Sequence, residues 1–378
     1  MTAPPHAPRV VVAGGHSAGH IEPAMNFADA LCRLDASAEI TALGTVRGLD
    51  TVLIPARGYR LELIPPVPLP RRLNRALLAT PGKLGDSVRA AGEVLDRARA
   101  EAVVGFGGYV AMPAYLAARR RHLPIVIHEA NAKAGVANRV AARMTEHVFT
   151  ASPAVRLTHA VPIGIPLRPA IARLDRSALR ADARARFGLR PDGPVLLVTG
   201  GSQGARAINW AVSESAAALG AAGVQVLHIV GPNNVLDVAS LPDRPPYIVV
   251  PYVEDMQYAY AAADFVICRA GAMTCAELTA VGLPAAYVPL PLRGGEQRFN
   301  AEPIVAAGGG LLVDNAELTP GWIAAQVVPR ITDPVGLATM ARAAAQTGSR
   351  DADVVLARHV LNVVAEHRRF AGPTGGPQ

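Results

Sequence analysis

The 378-residue sequence predicts an α/β protein of two doubly wound parallel-sheet domains facing each other across a cleft. Three observations lead there. The apolar run Arg9–Ala13 feeds Gly14-Gly15-His16-Ser17-Ala18-Gly19-His20 and then a helical pattern from about Glu22 to Leu34. The same order returns at Pro194–Thr199, followed by Gly200-Gly201-Ser202-Gln203-Gly204-Ala205 and a helix to about Leu219. Between them, VPIGIPLRP at 161–169 has the proline and glycine density of an interdomain connection. Repeated strand–loop–helix units pack as parallel sheets with helices on both faces.

The expected boundaries are a disordered leader over 1–8, a first domain over 9–163, a second over 164–348, a helix over 349–371 packing back toward the first domain, and a tail over 372–378. A chain of this length has room for two cores.

Composition narrows the function. Hydrophobic content of 51% against 18% charged excludes a disordered chain. The net charge of +7 is carried by arginine, since Lys83 and Lys133 are the only lysines, and it favours anionic partners. Aromatics are only 4% and do not alternate with arginine, so no nucleic acid is expected as a partner. Cys32, Cys268 and Cys275 have no metal-like spacing and fit a reduced, cytosolic protein. No apolar run approaches ~18 residues and MTAPPHAPR has no signal-peptide core, so the chain is expected not to span a membrane.

In chain order, Glu39–Leu43 reads as a strand and Val52–Leu63 as further short elements. The proline-rich stretch that follows alternates Arg71, Arg72 and Arg75 with Leu73, Leu77 and Leu78. Such a segment suits an anionic membrane surface, or else a loop whose leucines pack on their own domain. Ser87–Ala100 reads as an amphipathic helix. Val103–Tyr109 is a strand with a glycine turn, Met112–Arg120 a helix, and Pro124–Asn131 a strand ending in polar residues. Ala132–Met144 is expected to be helical, His147–Thr150 a last short strand of the first domain, and Leu174–Phe187 a charged helix. Val224–Val230, Tyr247–Val250 and Phe265–Cys268 are strands of the second half, with a helix over Met256–Ala262. Ala338–Ala345 and Val354–His367 close the chain as helices.

Chemistry concentrates in DFVICRAGAMTCAELTAVGLPAAYVPLPLRGGEQRFN at 264–300. A buried strand, the turn Arg269-Ala270-Gly271 and a helix over Ala272–Val281 leave free N–H groups at the helix start, which suit a phosphate. Glu277 shares a face with Thr274, and its carboxylate can accept two hydrogen bonds from a ribose diol. The stretch therefore fits a sugar-nucleotide pocket. An ordinary βα unit with a solvated glutamate is the other reading of the same residues. The first glycine loop lacks the G-x-G-x-x-G spacing, and neither Glu39 nor Asp50 clearly ends a second strand, so a dinucleotide fingerprint is excluded. His20 opens a helix where it could act as a base, or serve as a cap or packing residue.

Six ordered blocks resemble the MurG family, the undecaprenyldiphospho-muramoylpentapeptide β-N-acetylglucosaminyltransferases of bacterial cell-wall synthesis. They are GGHSAGH at 14–20, VVGFGGYVAMPAYLAA at 103–118, IHEANAKAGVANR at 127–139, LLVTGGSQGARAIN at 196–209, ICRAGAMTCAELTAVGLPAAYVPLP at 267–291 and GEQRFNA at 295–301. The likeness runs from about Val10 to Val363. It implies a GT-B architecture of two Rossmann-like domains, with donor nucleotide on the second and lipid acceptor on the first. It also implies an inverting transfer of GlcNAc from UDP-GlcNAc to undecaprenyl-pyrophosphoryl-MurNAc-pentapeptide, lipid I to lipid II.

By that resemblance the UDP-GlcNAc-binding set is Ser17, Ala18, Gly19, Asn131, Arg168, Ser202, Gln203, Val253, Ala272, Met273, Thr274, Glu277, Glu296 and Gln297. Ser202 and Gln203 would lie near the diphosphate, Val253 would meet the uracil through its backbone, and Glu277 would hold the ribose. Gln297, with Glu296 beside it, would reach the GlcNAc hydroxyls, and Tyr109 would lie near the acceptor. His20 is the candidate base. Arg71, Arg72, Leu73, Arg75, Leu77 and Leu78 would face the membrane. The implied partners are the anionic inner face of the cytoplasmic membrane, where the protein would sit peripherally, and cell-wall synthesis and division proteins. Two departures stand out. The family often carries GGTGGH or GGGTAGH where this loop has His16, and a glutamine pair where this chain has Glu296-Gln297.

No protein-bound metal is expected. Asp351-Ala352-Asp353 has the letters of a D-x-D motif but precedes the terminal helix, where capping explains it better. Another GT-B glycosyltransferase, a sugar-nucleotide epimerase of the same fold, and a non-enzymatic nucleotide-binding scaffold are the rival readings.

Overall fold

The computed structural model describes residues 6–67, 80–238, 244–291 and 295–371. The arginine–leucine segment 71–78, residues 1–5 of the expected leader and the tail from Gly372 lie outside the described residues. The chain forms two compact units, one from Met1–Leu167 with Asp351–Gln378, the other from Arg168–Arg350. The division falls at Leu167/Arg168, a few residues beyond the expected 163/164, because Ile165 and Leu167 are buried.

Among its described residues the first unit holds seven parallel strands: β1 Arg9–Gly14, β2 Glu39–Gly44, β3 Arg60–Leu63, β4 Ala102–Gly107, β5 Ile125–Glu129, β6 Val148–Thr150 and β7 Ala160–Pro162. Their order is β3-β2-β1-β4-β5-β6-β7. Alternation in β1 supplies both faces of the core. Val10 and Val12 join Ala24, Phe27 and Leu31 of the helix Ala18–Leu34 and Leu356, Val360 and Val363 of the helix Ala352–Ala371. Val11 and Ala13 face Val94, Leu95 and Tyr115 on the other side. Each fully buried large side chain stabilises by about 1.5–3 kcal/mol. The terminal helix is pinned to this unit by Arg33–Asp353 at 2.5 Å and by Arg368 on Glu101 at 2.7 Å. Asp353, which the sequence suggests as a cap, is thus an ion-pair partner, 3% exposed.

The second unit holds β8 Val195–Thr199, β9 Gln225–Ile229, β10 Tyr247–Val250, β11 Phe265–Arg269, β12 Ala285–Val288 and β13 Gly310–Leu312, all parallel, in the order β10-β9-β8-β11-β12-β13. Its core joins Leu196, Val198, Phe265 and Ile267 to Ile208, Val212, Ile323 and Val327. In each sheet the winding reverses beside the first strand, between β1 and β4 and between β8 and β11. Loops leaving these two strands diverge onto opposite faces, which opens a crevice at the carboxyl ends.

Several expectations need correction. The first helix starts at Ala18, one turn before Glu22, with His20 N–H and Ile21 N–H donating to the Ser17 carbonyl. Pro23 normally marks a helix start, but here it lies inside, with no N–H to return to the Gly19 carbonyl. The helix expected over 132–144 is confined to Val136–Ala141. His147–Thr150 is not the last strand, since β7 follows it. The leader is shorter than expected: Pro8 O accepts from Glu39 N at 2.9 Å, and Ala7 O accepts from Arg368.

Candidate functional site

At the first unit's switch point, the loops after β1 and β4 touch. Gly108 has φ +81°, and a Cβ there would lie 2.5 Å from the Gly15 carbonyl oxygen. Only glycine allows that approach. The rings of His16 and Tyr109 meet edge to face at 4.9 Å. His16 itself is left-handed, at φ 78°. Its N–H donates to Asp50 Oδ1 at 2.6 Å and its carbonyl accepts from Leu49 N at 3.2 Å. The buried Asp50 carboxylate also accepts from Thr45 N at 2.9 Å. Asp50 therefore shapes the glycine loop from beneath.

His20 lies in the first turn of the helix, half-buried, with Nδ1 2.9 Å from the Phe106 carbonyl. A carbonyl only accepts, so Nδ1 carries the hydrogen and the neutral ring keeps its lone pair on Nε2. Ser17 and Gly19 are exposed beside it, and Ala18 is half-buried.

The third loop of this unit follows β5. Glu129 is 2% exposed, and its carboxylate accepts from Asn131 N and Gly135 N, both at 2.9 Å, and from Asn138 Nδ2 at 3.0 Å. Asn138 Oδ1 in turn accepts from the buried Tyr115 hydroxyl at 2.7 Å. Glu129 thus folds the loop that carries Asn131. Ser17, Ala18, Gly19, His20, Tyr109 and Asn131 all sit at the carboxyl ends of β1, β4 and β5.

The second unit gathers its candidates in the same way. Ser202 and Gln203 are exposed in the loop after β8. Gly204, at φ +73°, lets that loop lie against the Val230 carbonyl, 2.0 Å from where a Cβ would stand. Val253 follows β10 and is half-buried. After β11, the helix Ala272–Ala280 starts at Gly271, which offers no side-chain cap, and its first turn has no acidic residue. The N–H groups of Ala272, Met273 and Thr274 and the positive end of the helix dipole therefore favour an anion. Leu278 and Val281 are buried beneath, while Glu277 is half-buried one turn in. Burial pushes the Cys268 and Cys275 thiols up, so both stay protonated packing groups.

After β12, the helix Glu296–Ala306 brings Gln297 and Asn300 to the same edge. Gln297 Oε1 accepts from Leu290 N at 2.8 Å, and Asn300 Nδ2 donates to the Ala270 carbonyl at 3.1 Å, tying this helix to the Gly271 turn. Glu296 is exposed. Arg168 is the exception among the predicted residues. It precedes the short helix Pro169–Ala172 as its N-cap rather than ending a strand.

Sequence reasoning missed Asp50, Glu129, Asn138 and Tyr260 as supports. Their partners lie 34, 6, 9 and 17 residues away. Only the polar letters ending the β5 block hinted at any of them.

Two family models cover most of the chain. The glycosyltransferase family 28 N-terminal domain matches residues 10–150, and the family 28 C-terminal domain matches residues 195–356. A Streptomyces avermitilis protein named UDP-N-acetylglucosamine–N-acetylmuramyl-(pentapeptide) pyrophosphoryl-undecaprenol N-acetylglucosamine transferase is 57% identical over 361 residues, 95% of this chain and 99% of that one. A Rhodococcus opacus protein of the same name is 56% identical over 370 residues, 95% and 97% of the two chains. Among solved structures, Acinetobacter baumannii MurG superposes with a TM-score of 0.75 at 28% identity, over 94% of this chain and 99% of that one. The calicheamicin glycosyltransferase CalG4, at TM-score 0.65 and 19% identity over 95% and 98%, shares the fold. Two doubly wound sheets, both halves of the family model in order and more than half the residues in common with full-length relatives make this chain a member of the MurG family of GT-B glycosyltransferases.

Proposed function

We propose that the chain is an N-acetylglucosaminyltransferase that moves GlcNAc from UDP-GlcNAc to the muramic acid hydroxyl of undecaprenyl-pyrophosphoryl-MurNAc-pentapeptide, converting lipid I to lipid II. The observation that carries it is the 57% identity to a named transferase along nearly the full length of both chains. The donor is held by the second unit. The uncapped helix start at Gly271 takes the diphosphate, Ser202 and Gln203 flank it, Val253 meets the uracil, Glu277 takes the ribose, and Glu296 and Gln297 take the sugar. Arg168 approaches the nucleotide from the start of that unit.

The first unit supplies the acceptor side through Tyr109, and its Ser17, Ala18, Gly19 and Asn131, at the carboxyl ends of β1 and β5, contact UDP-GlcNAc. Nε2 of His20 takes the proton of the acceptor hydroxyl as its oxygen attacks C1 of GlcNAc. The C1–O bond to the diphosphate breaks, UDP leaves with the electron pair, and the anomeric centre inverts. N–H groups at the helix start, which need no reorientation, stabilise the charge developing on the diphosphate.

No helix among the described residues is long and apolar enough to cross a membrane. A polyprenyl-anchored acceptor nevertheless confines the reaction to a bilayer surface. The net charge of +7 favours its anionic cytoplasmic face, with peripheral attachment and with cell-wall synthesis and division proteins as neighbours.

The test is transfer of labelled GlcNAc from UDP-GlcNAc to a short-chain lipid I analogue by the purified protein. Formation of the disaccharide product is the expected result. Binding of UDP-GlcNAc with no transfer would overturn the acceptor assignment, and conversion of the donor sugar without any acceptor would point to an epimerase.

A further inference from the structure

The helix Met256–Ala262 precedes β11 in the chain and carries no residue of the predicted site. Its Tyr260 is 2% exposed, and its hydroxyl donates to Glu277 Oε2 at 2.7 Å. We infer that Tyr260 is a positioning residue that fixes the Glu277 carboxylate for a ribose and so makes the enzyme selective for ribonucleotide over deoxyribonucleotide donors. The inference rests on the reading of Glu277 as the ribose contact.

Two geometric observations and one electrostatic one support it. The phenol approaches from the core, whereas Glu277 is half-exposed, so the bond ties one carboxylate oxygen inward and sets the plane of the group. A carboxylate of fixed plane meets two vicinal hydroxyls in one orientation, while a freely turning one accommodates a single hydroxyl almost as well. Second, the two helices involved are held by one half-buried side chain. Arg176 Nε donates to the Tyr260 carbonyl at 3.0 Å, Nη1 to the Gly282 carbonyl at 3.2 Å beyond the Glu277 helix, and Nη2 to the Ala263 carbonyl. The backbones that present donor and acceptor therefore do not drift apart. Third, burial pushes the Tyr260 phenol well above its ordinary value, with the Glu277 charge adding to it, so the hydroxyl remains a donor through the whole neutral range.

The experiment compares UDP-GlcNAc with its 2′-deoxyuridine counterpart as donors for wild type, Tyr260→Phe, Glu277→Ala and the double variant, with the acceptor analogue saturating. Thermal midpoints are recorded alongside. Phenylalanine keeps the packing and removes only the hydroxyl. The expected result for Tyr260→Phe is a roughly tenfold rise in KM for UDP-GlcNAc, kcat within about twofold, and a ribo-to-deoxy preference reduced by a similar factor. In the double variant the preference equals that of Glu277→Ala alone, because the tyrosine acts only through the carboxylate. A merely structural tyrosine would lower the thermal midpoint and leave the preference intact, and that result overturns the inference. Loss of preference in Glu277→Ala with none in Tyr260→Phe rejects the tyrosine role alone. An unchanged preference in Glu277→Ala rejects the ribose reading and the inference with it.

Discussion

His20 Nδ1 sits 2.9 Å from the Phe106 carbonyl oxygen, a bond that joins the first helix to the end of β4 and dictates which ring nitrogen holds the hydrogen. The arrangement separates two roles that one histidine often combines. Asparagine at position 20 preserves a donor where Nδ1 stands but offers no base. His20→Asn should therefore lower kcat by roughly 10²–10⁴ with UDP affinity unchanged. Steady-state kinetics paired with UDP calorimetry reads this directly, and an Asn variant that keeps wild-type turnover would remove His20 from the proton transfer.

Asp50 shows how much of the glycine loop depends on one buried group. Its carboxylate accepts from His16 N at 2.6 Å and from Thr45 N at 2.9 Å, and its own exposure is 0%. Alanine leaves both N–H groups without their partner, at about 1–3 kcal/mol each. We expect Asp50→Ala to destabilise the protein by about 2–5 kcal/mol in urea titration and to lower kcat/KM as the loop loosens.

The glycine loop of the second unit offers a controlled comparison. Gly201 has φ +86° and no atom within 4 Å of where a Cβ would stand, whereas Gly204 has φ +73° and would meet the Val230 carbonyl at 2.0 Å. Gly201→Ala should cost only the left-handed backbone penalty, about 1–2 kcal/mol, and leave UDP-GlcNAc binding measurable. Gly204→Ala adds a backbone clash that cannot relax without moving the loop off Val230. Binding by calorimetry should be lost, and equal affinities for the two variants would show that this loop does not hold the diphosphate.

The strand–loop–helix units were legible because each is local. Four to six apolar residues, a turn with one or two glycines and a helical period identify β1, β8 and β11 without reference to anything distant. The helix start at Ala18 was hidden by Pro23, whose ordinary place is the first turn. β7 was hidden because Ala160-Val161-Pro162 is short, largely exposed and proline-ended. In the site, residues that face outward from glycine turns could be named in advance. Asp50, Glu129 and Tyr260 could not, because a buried polar group is defined by its partner and the partner is set by the fold.

Stability should fall with acid in a window set by two buried histidines, one in each unit. Burial lowers His128 to about 4 and His228 to about 4. Both are neutral in the folded protein, and each would take up a proton on unfolding below its ordinary value of about 6.5. The unfolded state therefore binds more protons between these values, and stability rises with pH there. Above about 6.5 neither group contributes a slope, and below about 4 both states are protonated. Urea midpoints measured from pH 4 to 8 should decline below 6.5. His228→Gln, which can still pair with Tyr247 and Asn209, should flatten part of that decline. An unchanged slope would mean that His228 is not held neutral.

Gln297 carries the last prediction, because its amide orientation is not free. The Leu290 N–H demands the oxygen, at 2.8 Å, so the amide cannot flip and its Nε2 hydrogens are the donors on the other side. Gln297 therefore donates to a sugar oxygen through Nε2, while one lone pair of its oxygen is committed to Leu290. Glutamate at this position keeps the acceptor for Leu290 and removes both donors. Gln297→Glu should raise KM for UDP-GlcNAc by roughly tenfold while the affinity for UDP, which lacks the sugar, stays within about twofold. Equal losses for UDP and UDP-GlcNAc would place Gln297 on the nucleotide. No loss for either would leave it the purely structural task of closing the turn at Leu290.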